Sequence, residues 1–321
     1  MGITRSNGAK KIDKRGFPWH NGGAGAVIKG IGVLREGESV VSQSLEVTYY
    51  LHSGFSVASG RTLCVFDYWL GEHQELARIK RITPQYLARF DRIYVFISHS
   101  HPDHFDQEVY TWREDNPVTY IVSYEMPVGT RGKRMSPGDQ LTLDEHVSVE
   151  AYDSTDLGVS FLVTLDGVRI FHAGDLNFWH WREESTVQEI EEAEQAFHEA
   201  CEPLTKIPRM DVAFFPVDPR QGRLYDAGAN YFIMAVKPRL LIPMHFWGRA
   251  EIATEFARRA RCRDTEVIAM TRPKERLLLE FADDGFMTIE IPTEADENAV
   301  SLGGYEGEDP FGDTDLPVDI R

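Results

Sequence analysis

The chain has 321 residues, a formal charge of −17 and 42% hydrophobic residues. That length suits one or two domains with a substantial core, and the acidity argues against non-specific binding to nucleic acid or an anionic membrane. A small anionic substrate stays open, because a bound cation can dominate the local field of a site.

Residues 1–44 are Gly-rich and mixed in charge, with a weak strand signal at 26–31, and read as an N-terminal arm or lid. Lys10, Lys11, Lys14 and Arg15 are not followed by an apolar segment, and no run of ~18 apolar residues occurs, so no membrane span is expected. Cys64, Cys201 and Cys262 are widely spaced and suggest no disulfide framework. These features point to a cytoplasmic, reducing location.

The central segment, residues 45–292, alternates strands and helices. Strands are expected at 45–51 and 62–66, with His52-Ser53-Gly54 as a turn and Asp67 ending the second strand. Residues 72–90 read as helical, with Pro84 starting a second helix. The apolar run 93–97 reads as a buried strand. Further strands are expected at 118–122, 147–152, 159–165 and 168–171, with Asp166-Gly167 marking a hairpin. Residues 185–201 form the clearest helix, because Val187, Ile190, Ala193, Phe197 and Ala200 repeat at three and four, and Ser185 with Gln188 suggests a capping box. Then come strand 211–215, helix 226–236, strand 239–242, helix 250–260 and strands 266–270, 277–281 and 286–291. Residues 293–321 carry nine acidic residues against one base, Arg321, and read as a solvated, flexible tail.

Strand 93–97 empties into His99-Ser100-His101-Pro102-Asp103-His104. Four side chains able to bind a metal fall within these six positions. A mixture of imidazole and carboxylate donors suits a borderline-soft divalent ion such as zinc. Three more apolar strands end in a His or Asp: Asp67, His172 with Asp175, and His245. A single strand-end His is ordinary; the series beside the cluster points to one metal site.

This series resembles the metallo-β-lactamase fold superfamily, in order from about residue 45 to 246. The phrase Leu51-His52-Ser53-Gly54-Phe55 followed by Asp67-Tyr68-Trp69 resembles the branch containing ascorbate-6-phosphate lactonase and related phosphodiesterases. The resemblance implies an α/β fold, a four-layer αββα sandwich, with metals at one edge between the sheets. It implies that His99 and His101 bind a first metal, that Asp103, His104 and His245 bind a second, and that Asp175 bridges them. Asp67 and His52 would support the ligands from behind. Zinc leads as the cofactor, one or two ions, with manganese or iron as options.

The family also expects a His near residue 153, where this chain has Asp153. Three outcomes stay open: Asp153 ligates through oxygen, His172 swings in, or the first metal is weak or absent. Oxygen ligation would tilt the site towards manganese or iron.

The expected activity is a metal-dependent hydrolase in which an activated water attacks a phosphoester, phosphodiester or lactone bond. Asp103 and Asp175 would serve the reaction as ligands. His172 is a candidate for proton transfer to the leaving group, against a plain packing role. Residues 175–181 are rich in aromatic rings, so Asn177 and Trp179 are candidates to contact substrate, as is Trp247; the alternative is that these rings cover the sheet edge. Arg220 could clamp an anionic group or pair structurally with Asp218. The partner expected is a small, anionic molecule rather than nucleic acid or membrane, and oligomeric state is not legible. Two alternatives come from other classes: a di-iron protein of oxygen chemistry, and an inactive ligand-binding member of the fold.

Overall fold

The computed structural model describes residues 26–31, 41–71, 81–114, 116–181, 184–260, 264–283 and 285–292. The acidic tail at 293–321, most of the N-terminal arm and residues 72–80 of the helical stretch expected at 72–90 lie outside the described residues. Residues Val27–Pro292 form one compact unit.

Two sheets carry the fold. The first has nine strands, in the order β1-β16-β15-β2-β3-β4-β5-β6-β7. These are β1 (Ala26–Ile31), β2 (Val41–Leu51), β3 (Gly54–Ser59), β4 (Thr62–Phe66), β5 (Arg92–Ile97), β6 (Val118–Ser123), β7 (Lys133–Met135), β15 (Arg276–Ala282) and β16 (Met287–Ile291). The second has seven, in the order β14-β13-β12-β11-β10-β9-β8. These are β8 (Gln140–Thr142), β9 (Val147–Tyr152), β10 (Ser160–Leu165), β11 (Val168–His172), β12 (Val212–Pro216), β13 (Leu240–Met244) and β14 (Glu266–Val267).

Side-chain alternation explains why the first sheet is covered on both faces. In β5, Tyr94 and Phe96 enter the core between the sheets, while Ile93, Val95 and Ile97 enter a second cluster on the outer face. That outer cluster includes Leu87 of the short helix α1 (Pro84–Leu87) and Val109 and Trp112 of the 3₁₀ segment Gln107–Glu114. The second sheet is covered by α2 (Val187–Cys201), α3 (Ala227–Ala235) and α4 (Ala250–Arg259), whose apolar residues Phe197, Phe232 and Phe256 join the main core. The order of layers is helix, sheet, sheet, helix.

Two local readings change. The strand β3 (Gly54–Ser59) fills a stretch whose Gly and Ser content gave no strand signal, and its pairing with β2 and β4 supplies the hydrogen bonds that the composition did not advertise. The capping box of α2 is made by Thr186 and Glu189, not by Ser185 and Gln188. Thr186 has the extended backbone a cap needs, its hydroxyl accepts from Glu189 N, and the Glu189 carboxylate accepts from Thr186 N at 2.7 Å.

Aromatic packing joins the sheets. The Phe214 ring of β12 stacks on Phe55 of β3 at 4.3 Å and lies 6.1 Å from Phe66 of β4. It is fully buried. Phe214→Ala is therefore expected to lose about 3–5 kcal/mol of stability. A chemical unfolding curve checks this; a loss under about 1 kcal/mol would contradict the inter-sheet role.

Candidate metal centre

Strand direction assembles the site. β4 and β5 are parallel neighbours in the first sheet, and β11, β12 and β13 are parallel neighbours in the second. Their carboxyl ends therefore open on one edge of the sandwich. β4 delivers Asp67, and β5 delivers Ser98 and the His99–His104 segment. β11 runs into Asp175, β12 into Asp218 and β13 into His245. The turn between β2 and β3 adds His52 beside the end of β4.

Three hydrogen bonds stitch the sheets together at this edge. Val159 N donates to Ser98 O at 3.1 Å, and His245 N donates to His52 O at 3.2 Å. The His172 ring Nε2 donates to Ser53 O at 2.8 Å. Two glycines make room for that approach. A Cβ on Gly158 (φ +80°) would sit 2.0 Å from Ser98 O, and one on Gly174 (φ +54°) would sit 2.8 Å from Ser98 Cβ.

The side chains then converge on Asp175. Its Oδ1 lies 3.1 Å from His104 Nε2 and 3.2 Å from His245 Nε2. Its Oδ2 lies 3.3 Å from His99 Nε2 and 3.8 Å from His101 Nδ1. One carboxylate is thus divided between two pairs of imidazoles. Burial alone would raise its pKa, but the charges of His104 and His245 hold it well below the usual carboxylate range. Asp103 Oδ2 stands 3.1 Å from His52 Nε2 and 3.8 Å from His245 Nε2. Burial, then the charge of His245, pushes the His52 imidazole down to about 3, so the ring is neutral with a lone pair available.

The donor atoms fit a cation. Asp175 Oδ1, His104 Nε2, His245 Nε2 and both ring nitrogens of His52 are buried without a hydrogen-bond partner. A buried polar atom left unpaired costs about 1–3 kcal/mol. Several of them facing one space indicate donors arranged for a charge between them. Among the described residues three sets have their ligand atoms mutually within 4.8 Å: His99, His101 and Asp175; His52, Asp103, His104 and His245; and Asp67, His99 and His104, in which Asp67 is already engaged by Ser98 and His104 Nδ1.

The outer partners fix the rings. Asp67, strained to φ +40°, accepts from Ser98 N at 2.8 Å and Ser98 Oγ at 2.6 Å. It also lies 2.7 Å from His104 Nδ1, which orients Nε2 inward. Ser98 Oγ reaches His99 Nδ1 at 2.9 Å. Asp218 does the same for His245, at 2.9 Å from Nδ1. Asp218 thus serves a ligand as well as pairing with Arg220; the signal for this role in the sequence is its place just beyond a strand end, as for Asp67 and Asp175.

Four expectations change. Asp153 is exposed and its carboxylate accepts from Ser154 N at 3.0 Å, so it stands outside the cluster. His172 is fully buried; its Nε2 is held by Ser53 O, its Nδ1 accepts from Gly174 N at 3.2 Å, and its ring stacks on Phe66. No ring nitrogen is left for a leaving group, and none swings towards the ligands. Asn177 is buried, with its amide on Gln221 at 3.1 Å and its Oδ1 against Gly228, which removes it from substrate contact. His52 lies among the donors rather than behind them.

Aromatic rings border the cluster. Trp179 is 5.6 Å from His245 and donates Nε1–H to Asp175 O at 2.7 Å. Trp247 lies 4.5 Å from His52, and Arg220 sits 4.7 Å over its ring while bonding Asp218 through Nε and Nη2. The His101 side chain is 39% exposed whereas His99 and His104 are at 0%, so the cluster opens to solvent on the His101 side.

No protein-family model matches this chain, and no curated protein matches it. Solved structures do. A metallo hydrolase from the archaeon Ignicoccus hospitalis is 20% identical with a TM-score of 0.54, covering 74% of this chain and 99% of its own. A candidate metal-dependent hydrolase from Parabacteroides distasonis is 19% identical with a TM-score of 0.52, covering 74% and 98%. The metallo-β-lactamase fold protein YhfI from Bacillus subtilis is 13% identical with a TM-score of 0.48, covering 74% and 100%. The two-sheet αββα architecture of this chain is the metallo-β-lactamase fold. Among the described residues, no helix is long and apolar enough to cross a membrane.

Removing the Asp218 carboxylate should leave His245 free to rotate. Asp218→Ala is expected to weaken zinc binding about 10–100-fold, read by competition with a chelator; an unchanged affinity would mean that Asp218 serves only Arg220.

Proposed function

We propose that this protein is a metal-dependent hydrolase that cleaves a phosphoester, phosphodiester or lactone bond in a small anionic substrate. The observation that carries the reading is the Asp175 carboxylate, shared between His99 with His101 on one oxygen and His104 with His245 on the other. An arrangement of this kind suits one or two divalent ions held side by side. The nitrogen-rich donor set favours zinc. Two proteins that share the fold bear metallohydrolase names; the reaction class here rests on the donor set and on the motif resemblance to the phosphodiesterase and lactonase branch.

His99, His101 and Asp175 would hold one ion, and Asp103, His104, His245 and Asp175 the other. When bound, a divalent ion lowers the pKa of water from about 16 towards about 7 and stabilises negative charge on a reacting oxygen. The chain supplies the rest. Asp67 and Asp218 keep His104 and His245 facing inward. Arg220, braced by Asp218 and by the Trp247 ring, places a positive charge beside the His245 end of the cluster, where it would attract an anionic group. Trp179 beside His245 and Trp247 beside His52 offer apolar surface that would pack against the substrate body. Proton delivery to the leaving group does not fall to His172, whose ring is closed off.

An oxygen ligand at Asp153 would have tilted the site towards a harder metal. With that carboxylate turned to solvent, the di-iron reading loses its particular support.

Asp175→Asn keeps the shape and removes the shared charge. With zinc or manganese supplied, it is expected to lower hydrolysis of a chromogenic phosphodiester or aryl lactone by at least about 1,000-fold. Wild-type protein that binds metal yet hydrolyses neither compound class would contradict the proposal.

A further inference from the structure

We infer that His52 is itself a ligand of the second metal position, which makes the two positions unequal. The inference rests on the metal-centre reading above and adds a residue that the family pattern does not place among the ligands.

His52 is fully buried, yet neither ring nitrogen has a hydrogen-bond partner. Its Nε2 lies 3.1 Å from Asp103 Oδ2 without the geometry of a hydrogen bond. Its ring centroid is 3.9 Å from that of His245 and 5.6 Å from that of His104. On its other sides stand the rings of Trp69 at 5.7 Å and Trp247 at 4.5 Å, which offer the imidazole an apolar wall. The direction in which its ring finds polar company is therefore the one occupied by Asp103, His104 and His245.

The backbone holds the ring there. His52 N donates to the Tyr49 hydroxyl at 2.9 Å, and His52 O accepts from His245 N at 3.2 Å. The residue takes φ +56°, in the left-handed region that a non-glycine residue rarely adopts. A strained backbone and an unpaired, buried imidazole are two separate costs at one residue. Coordination explains both: the strain aims the ring, and the cation satisfies its lone pair.

The consequence is an imbalance. The first position has His99, His101 and one oxygen of Asp175, with Asp153 turned away. The second gathers His52, Asp103, His104 and His245, with the other oxygen of Asp175 beside them. The imidazole absent from the first side is thus matched by an additional one on the second. A single equivalent of metal should settle at the second position.

The number of imidazoles bound in singly loaded protein decides the matter. With one equivalent of zinc, X-ray absorption at the zinc edge should show three imidazoles, from His52, His104 and His245. Without His52, either position supplies only two, so a count of two in the wild type overturns the inference. His52→Asn tolerates the left-handed backbone and cannot reach the ion in the same way. It should drop the count from three to two and raise the zinc Kd at least about 100-fold by chelator competition. An unchanged count, or a Kd within about threefold of wild type, would also overturn the inference. Wild-type protein that binds no zinc at all would instead sink the metal-centre reading itself, which keeps the two failures apart.

Discussion

The architecture turns on a carboxylate, Asp175, buried among imidazoles that come from both sheets. His99, His101 and His104 arrive on the loop after β5, and His245 arrives after β13. Uncompensated, such a cluster is unfavourable, because each buried polar atom has lost water and several have gained no partner. The rest of the edge is arranged to keep these groups together. Asp67 and Asp218 hold the rear of two imidazoles, Ser98 holds a third, and the glycines at 158 and 174 let Ser98 lie against the second sheet.

The fold makes this affordable at the edge where the ligand-bearing strands end. Parallel neighbours in both sheets end at the same level, so the loops that follow them meet. Below that level the space between the sheets is filled with stacked rings, Phe55, Phe66, Phe96 and Phe214 among them. An apolar floor of this kind excludes water and strengthens the electrostatics above it. Structure and chemistry are linked through Phe66, the residue before Asp67, whose ring stacks on His172 while its strand positions the acid behind His104.

Much of this was legible in the sequence because it is local. The His99–His104 segment announces itself by density, and the apolar runs ahead of Asp67, Asp175 and His245 identify those residues as strand-end groups. What could not be read is long-range. Nothing near His52 in the chain shows that its carbonyl will receive the His245 amide, or that its ring will then lie among the ligands. Asp153 occupies the expected place along the strand, but position does not fix direction, and its carboxylate caps the next amide instead. His172 is the last residue of its strand and stacks on Phe66 in the floor, whereas Asp175 comes three residues later, past a turn at Gly174 (φ +54°) that carries it out to the cluster. Asp218 looked like a partner for Arg220 and is one; that it also braces His245 depends on β12 lying beside β13.

The central claim is that Asp175 is shared by cations held between the two groups of imidazoles. Anomalous diffraction from crystals grown with excess zinc tests it most directly. The account predicts at least one zinc peak within about 2.0–2.3 Å of an Asp175 oxygen and of imidazole nitrogens from the cluster. Zinc-soaked crystals with no peak at Asp175, or with zinc held only elsewhere on the protein, would contradict it.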